Sequence, residues 1–269
     1  MTHLTITEEF MALFKGLDRA YGTYDVVTTK ADGPKLVGSD KTIKTIIGHV
    51  TNELWEGHLN GNRRIGIVPI NDEALCNFGA IDIDIYEGLD YSVIARAIKD
   101  NGFPLVPCRS KSGGLHLYCF TKEPIGAKNL QAKLKDFASA LGYGGTEIFP
   151  KQTELLVDRG DVGNWINMPY FDFANTTAYG IHFDGSPMNV RDFLDYAYAV
   201  KLTSEDLKKV VIPPIGDLRD GPPCLQHLAV HGLPPGTRND GLFNFAVYAR
   251  KVDIVGWEKT LYEYNKKYG

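Results

Sequence analysis

The stretch FGAIDIDIY, residues 78–86, is an apolar and β-branched run that carries two carboxylates. Its length and composition are typical of a β-strand. Alternate residues of a strand point to the same face, so Asp82 and Asp84 project together. Two such charges repel each other unless a cation lies between them, and a divalent metal prefers oxygen ligands of this kind. The pattern predicts a metal site, although a solvent-facing strand with inward-packing isoleucines would show the same alternation.

Similar short apolar runs lie on both sides of this stretch: RIGIVPI at 64–70, PLVPCRS at 104–110 and GLHLYCF at 114–120. Helical patterns separate some of them, at 91–100 and 127–141, and further short strands are predicted at 146–149, 154–157 and 164–168. Because the order of strands and helices is mixed, we expect an α+β domain with a largely antiparallel sheet rather than a doubly wound one.

The sequence pattern predicts helices towards both ends of the chain. Thr5 and Glu8 form a capping-box pattern before a first helix, and apolar spacing predicts a second helix over 41–56, with strand and loop over 23–39 between them. After residue 188 the pattern is helical again, with Asn189 and Ser204 as predicted N-caps. We expect one domain over 1–210, a Pro/Gly-rich linker over 211–223, and three short helices in a module over 224–269.

Composition leaves the function open but removes several classes. The net charge of −4 argues against a protein that coats nucleic acid by bulk electrostatics, yet it allows a local basic groove. The four cysteines form no Cys-x-x-Cys pair, which is unlike a disulfide framework or a zinc ribbon. No apolar run approaches the ~20 residues that span a bilayer, and the acidic start is unlike an export signal. We therefore expect a cytoplasmic protein without a membrane partner.

The run SKSGGLHLYCF, residues 110–120, predicts a phosphate-binding entry to a strand. Ser110, Lys111 and Ser112 supply hydroxyl and ammonium groups, and the glycines that follow allow close approach of a polyphosphate. His116 lies in the strand itself. A lone histidine in a strand is more often a structural, hydrogen-bonded residue, and the preceding Ser/Lys/Gly segment favours phosphate contact instead.

A site with two metal ions needs a third acid. Glu147 begins another predicted strand in the run TEIFPKQ and is followed by Lys151 and Gln152. By spacing alone it is one of four candidates, the others being Glu154, Asp158 and Asp161.

Taken together, these motifs resemble the archaeo-eukaryotic primase superfamily, especially the primase-polymerases of phages and mobile elements. The ordered matches are FGAIDID with Asp82 and Asp84, SGGLHLY with Ser112 and His116, TEIFPKQ with Glu147, and a following GNWINMP strand at 163–169. The segment from PPCLQHL to GLPPGTRNDGLFNFAVYARK resembles the helical C-terminal module of these primases. The resemblance implies a two-lobed core with one RNA-recognition-like sheet, followed by a small helical domain.

The resemblance also implies roles for individual residues. Asp82, Asp84 and Glu147 would be catalytic and hold two divalent ions, Mg²⁺ or Mn²⁺. The expected contacts to an incoming NTP or dNTP come from Ser110, Lys111, Ser112, His116 and Lys151. The expected contacts to a single-stranded DNA template come from Arg109, Gln152, Asn164, Arg238 and Arg250. The expected function is templated synthesis or extension of primers in phage or mobile-element replication, within a bacterial host cytoplasm if phage-encoded, with a helicase as a further partner.

Two other functions use the same residues. A metal-dependent nuclease needs the same acids and metals, but the Ser/Lys/Gly/His segment favours a nucleoside triphosphate over water as the second reactant. A binding module could hold nucleotide or single-stranded DNA without catalysing a reaction, but a site that only binds does not require three acids beside His116.

Overall fold

A computed structural model describes residues 4–24, 43–212, 218, 221–234 and 236–268. The chain divides into two compact units. Unit 1 comprises Met1–Leu134 and Glu147–Val210, and unit 2 comprises Lys135–Thr146 and Val211–Gly269. None of the helices in the described ranges combines the length and hydrophobicity that crossing a bilayer requires.

The described strands of unit 1 form two antiparallel sheets of four strands. Sheet 1 has the order β2-β1-β3-β8, from β1 (Ala20–Tyr24), β2 (Ile43–Ile47), β3 (Arg64–Ile67) and β8 (Ile166–Asn167). Sheet 2 has the order β5-β6-β4-β7, from β4 (Leu75–Ile83), β5 (Val106–Arg109), β6 (Leu115–Gly126) and β7 (Glu147–Phe149). The α+β class and the antiparallel pairing predicted from the sequence are confirmed.

The helices of unit 1 are α1 (Ile6–Leu13), α2 (Asn52–Leu59), α3 (Tyr91–Asp100), α5 (Val190–Ala199) and α6 (Ser204–Lys209), while α4 (Ala127–Ala140) continues into unit 2. The strand expected over 154–157 is wrong: residues 154–156 are irregular, and a 3₁₀ turn covers Val157–Arg159. The chain order β4-α3-β5-β6-α4-β7, combined with the spatial order of sheet 2, is the βαββαβ arrangement of RNA-recognition-like folds. The resemblance predicted this sheet.

Both faces of sheet 2 are buried. One face carries Phe78, Tyr118 and Phe120, which contact the ring of Phe14 from α1 at centroid distances of 5.1 to 5.2 Å. On the other face α4 packs so closely that a Cβ added at Gly79 would lie 2.7 Å from a side-chain atom of Leu134. A polar side chain in this sheet can therefore reach solvent only towards the end of a strand.

The predicted helix over 41–56 is wrong. Residues 43–47 form β2 on the edge of sheet 1, and α2 begins at Asn52, where the Thr51 side chain accepts a hydrogen bond from the Leu54 amide. The run IKTII is β-branched, and β-branched residues favour strands because their χ1 freedom is restricted in a helix. The isoleucines of this short segment match helical spacing by chance, and the spacing therefore suggested a helix where a strand forms.

At the other predicted helix starts, Thr5 and Asn189 cap α1 and α5 as expected. The cap of α6 is Thr203 rather than Ser204, because Thr203 forms the capping box with Asp206.

Unit 2 contains α7 (Pro223–His231), α8 (Arg238–Val252) and α9 (Trp257–Tyr268), which agree with the three helices expected there. Their core is formed by Leu218, Leu225, Phe245, Ala249 and Tyr264. The predicted linker over 211–223 falls partly outside the described residues, as does most of the 23–39 segment. Unit 2 also includes Lys135–Thr146.

Candidate active site

Strand pairing brings three of the predicted site residues side by side. In the register of sheet 2, Asp82 of β4 pairs with His116 of β6 on one side and with Glu147 of β7 on the other. Directly opposed residues of antiparallel strands share a face, with Cβ atoms about 5 Å apart. Asp82 is therefore the centre of a polar row across three strands at the end of the sheet.

Asp82 is held in a nearly buried position beside His116. Its Oδ1 lies 3.3 Å from His116 Nε2, and the exposed fractions of the two side chains are 15% and 10%. Asp82 Oδ1 has no hydrogen-bond partner among the described residues. A buried carboxylate oxygen without a donor is costly, and this one is available to a ligand.

Asp84 follows the last residue of β4 and is exposed. Its Oδ1 accepts a hydrogen bond of 2.8 Å from the Tyr86 hydroxyl. Burial, together with this bond, raises the pKa of Tyr86 to about 12, so the hydroxyl remains a donor at neutral pH.

Glu147 is distinguished by position from the three competing acids. Glu154 and Asp158 are exposed in the segment after β7, and Asp161 stabilises that segment by accepting the Gly163 amide at 2.9 Å. Glu147 instead lies in β7 beside Asp82, where its Oε2 is 2.8 Å from Lys151 Nζ. Within the described part of the chain, no three His, Cys, Asp or Glu side chains are grouped closely enough to hold a metal ion.

A hydrogen-bonded chain orients His116. Its Nδ1 is 3.0 Å from the hydroxyl of Tyr118, and that hydroxyl donates to the Asn167 carbonyl at 3.0 Å. Because the carbonyl can only accept, the Tyr118 proton is committed to it, and His116 Nδ1 is then the donor to the Tyr118 oxygen. The fully buried Tyr118 thereby turns His116 Nε2 towards Asp82 and links sheet 2 to β8 of sheet 1.

A cationic cleft lies next to this row, between the two sheets. We call it the cation cleft; Arg64, Arg109, Lys111, His116, Tyr24 and Asn167 are among the residues that line it. The Lys111 ammonium lies 3.8 Å from the centre of the Tyr24 ring, and the Arg64 guanidinium lies 4.0 Å from that of Phe171. Within the described residues, none of Arg64, Arg109 and Lys111 has a carboxylate partner at ion-pair distance. Unpaired cations in a cleft favour an anionic ligand.

Burial shifts the basicity of Lys111. Removal from water, reinforced by the nearby positive charge of Arg64, lowers its pKa to about 8. The ammonium is therefore largely charged at pH 7, and an entering anion would stabilise that charge.

A tight turn places Lys111 at the cleft. The Ser110 amide donates to the Gly114 carbonyl at 2.9 Å, and Gly113 adopts φ +92°, a conformation that side chains disfavour. A Cβ at Gly114 would lie 2.6 Å from the Ile83 carbonyl, so only glycine lets the turn approach β4 this closely. Ser110 is buried within the turn, and Ser112 is partly exposed.

The residues expected to contact template are distributed over several places. Arg109 joins the cation cleft, where its Nη1 donates to the carbonyl oxygens of Thr177 and Ser110. Gln152 and Asn164 are bonded to each other, with Gln152 Nε2 2.5 Å from Asn164 Oδ1. In unit 2, Arg238 donates to Asn265 at 2.9 Å and Arg250 is exposed on α8.

Arg64 is the functional candidate that the sequence analysis missed. It opens β3, and the paired arginines of the run GNRRIGIV are the signal that could have drawn attention to it. The signal was weak, because an arginine at the start of a strand is usually solvated. Its place in the cation cleft depends on the meeting of two sheets, and sequence spacing does not reveal that meeting.

Comparison with known families agrees with this geometry. Residues 23–210 match the family described as the Archaeo-Eukaryotic Primase domain of the TOTE conflict system. The chain belongs to this family. The matched residues include the row formed by Asp82, His116 and Glu147 as well as the cation cleft, and the family is one of primase-like nucleotidyltransferases. No curated protein matches the chain significantly.

Proposed function

We propose that this primase-family chain is a DNA-templated nucleotidyltransferase that synthesises or extends primers from NTPs or dNTPs. One observation carries the proposal: the acid-bearing row centred on Asp82 lies directly beside the cation cleft, and His116 belongs to both. Joining nucleotides requires a triphosphate to be held while charge moves between its oxygens. This reaction needs two kinds of group: cations that bind the phosphates, and carboxylates close to the atoms that react.

The donor set suits divalent metal ions, and we propose that Asp82, Asp84 and Glu147 hold Mg²⁺ or Mn²⁺. Asp82 Oδ1 is a buried oxygen to which no described residue donates a hydrogen bond, and hard cations prefer carboxylate oxygens. Among the described residues the three carboxylates are not grouped closely enough to hold an ion, and in this arrangement Glu147 is paired with Lys151 and Asp84 with Tyr86. When bound, such ions would lower the pKa of the attacking hydroxyl and neutralise the triphosphate.

The remaining residues have roles that follow from their contacts. Arg64, Arg109 and Lys111 would bind the triphosphate, since their positive charges line the cation cleft and none of them has a carboxylate partner in the described part of the chain. His116, oriented by Tyr118, would turn Nε2 towards a phosphate oxygen near Asp82, and it donates there when both ring nitrogens carry a proton. If a metal ion binds Glu147, the Lys151 ammonium would leave that carboxylate and pair with a phosphate oxygen instead.

A primer-extension assay tests the proposal. A primed single-stranded template is incubated with dNTPs or NTPs and either Mg²⁺ or Mn²⁺, and the product is sequenced. Template-directed lengthening of the primer supports the proposed function. Shortening of the primer would instead show a nuclease, and binding of DNA with no change in its length would show a binding module.

We further propose that residues 1–210 contain the chemistry and that the helical module over 224–269 assists the start of a chain. Starting requires two nucleotides and a template to be held together, so its entropic cost exceeds that of extending a primer. A protein ending at residue 210 should extend an annealed primer and lose most priming without one. Since Lys135–Thr146 packs with the module, circular dichroism must first show that the shorter protein is folded. Equal priming by both proteins would contradict a role in initiation.

The biological setting stays a prediction. The family description names a conflict system, and a role in phage or mobile-element replication and a helicase partner rest on the sequence resemblance.

A further inference from the structure

Trp165 lies flat on sheet 1. A Cβ added at Gly22 of β1 would lie 2.0 Å from the indole ring, and one added at Gly66 of β3 would lie 2.2 Å from it. These two glycines face each other in the register, so the ring rests on a side-chain-free patch that spans two strands. Any larger residue at either position would displace the indole.

The ring is also fixed at its edge. Its Nε1 donates to the Thr45 hydroxyl of β2 at 3.2 Å, and Thr45 pairs with Gly22. One face of the indole thus covers the glycines, its polar edge is bonded, and the side chain remains partly exposed. An aromatic ring held flat in this way is prepared for stacking without further loss of conformational freedom.

The surface around Trp165 extends further than one ring. On the face that carries Thr45, the β2 residues on either side, Ile43 and Ile47, are 52% and 71% exposed. On the same face Arg64 and Tyr24 pair one row beyond Gly22 and Gly66, about 7 Å along the strands, at the cation cleft. Apolar and aromatic groups thus follow one another over three successive rows of the sheet. The rows end at cations that have no carboxylate partner among the described residues. A surface of this length fits several linked nucleotides better than one mononucleotide.

We propose that this face of sheet 1 binds single-stranded DNA, with a nucleobase of the template stacked on Trp165. The inference rests on the proposed function, because a template is needed only if nucleotides are joined in an order. It adds a site to that function: the cation cleft holds the triphosphate, and the strand that directs synthesis runs towards it over the adjoining face of sheet 1, which the described residues leave open.

The test measures binding of a fluorescein-labelled oligo-dT without metal or nucleotide. Trp165→Leu keeps an apolar side chain but cannot stack, and we expect on the order of tenfold weaker binding. Trp165→Phe keeps a ring and should retain most of the affinity. In a Trp257→Phe protein the emission comes from Trp165 and the buried Trp55, so oligo-dT should quench it, and dTTP alone should not.

Wild-type affinity in a folded Trp165→Leu protein would overturn the proposal, as would an emission that oligo-dT leaves unchanged. Quenching by dTTP alone would also overturn it, since the ring would then serve the incoming nucleotide. The quenching arm requires no change at Trp165 and so remains decisive if Trp165→Leu does not fold. If the Trp165→Leu variant loses binding but the wild-type protein joins no nucleotides, the proposed function alone is contradicted. Nucleotide joining with unchanged binding would contradict the stacking site alone.

Discussion

The two sheets of unit 1 have the same number of described strands and the same antiparallel pairing, but they present their polar residues differently. Sheet 2 is packed on both faces, and its candidate chemistry is confined to the strand ends around Asp82. Sheet 1 packs one face into the core through Ile65 and Ile67, while its other face carries Arg64 and the two glycines beneath Trp165.

The difference has a physical cause. A carboxylate in a buried sheet is fixed by register and by close packing, which gives the positional accuracy that catalysis needs. A face that the described residues leave open can accommodate a large ligand, because none of the described elements packed elsewhere has to move. We therefore propose that the reaction takes place at the end of sheet 2 and that the face of sheet 1 recognises the template strand.

The largest effect should come from the row in sheet 2. Asp82→Asn and Glu147→Gln keep the side-chain shapes but remove the charges that would hold metal, so each should lower primer extension on the order of a hundredfold or more. The free energy of unfolding should change little, because Asp82 Oδ1 has no donor among the described residues and the Glu147–Lys151 ion pair is exposed. Extension rates and thermal melts measure the two quantities.

The matched control is Glu154→Gln, which makes the same chemical change in an exposed acid seven positions further along the chain. It should extend primers at the wild-type rate. Equal activity of Glu147→Gln and Glu154→Gln would show that the third acid has been misassigned, and an active Asp82→Asn protein would remove the chemistry from sheet 2.

The sequence predicted sheet 2 better than sheet 1. The strands around Asp82 and His116 are apolar, β-branched runs, and same-face spacing within a strand follows from backbone geometry alone. That Glu147 rather than Asp158 lies beside Asp82 depends on which strands pair, and motif order favoured it only through the family resemblance. Sheet 1 was harder to predict, because β2 is a short run with misleading helical spacing and because Arg64 gains its meaning only from contact with the other sheet.

An intermediate effect should follow from Tyr118→Phe, which removes the link between the sheets while keeping the ring that packs against Phe14 and Phe120. His116 Nδ1 loses its acceptor and Nε2 is no longer fixed towards Asp82. We expect KM for the nucleotide to rise about tenfold, with a smaller change in the affinity for primed template. Steady-state kinetics and DNA-binding titrations separate the two.

Tyr170→Phe is the matched control for Tyr118→Phe. The Tyr170 hydroxyl is also buried and donates to a backbone carbonyl, that of Met188, at 3.0 Å. Its loss should lower the free energy of unfolding by a similar amount, about 1 to 2 kcal/mol, without raising KM. If both variants raise KM equally, Tyr118 stabilises the core and does not position His116.

The smallest expected effect concerns Lys111, where the two sheets meet. Its pKa is lowered to about 8 by burial and by Arg64, so the ammonium of the nucleotide-free protein loses its proton as pH rises through 8. A triphosphate stays ionised over this range, and nucleotide binding should weaken several-fold between pH 7 and pH 9, with proton uptake on binding above pH 8. The ring beside Lys111 does not add a charge in this range, because burial raises the pKa of Tyr24 and keeps its hydroxyl neutral.

Calorimetric titrations in buffers of different ionisation enthalpy measure both affinity and proton uptake. Lys111→Arg keeps its charge throughout and should flatten the dependence. An equally steep decline in Lys111→Arg would mean that another group titrates and that the cation cleft does not hold the triphosphate through Lys111.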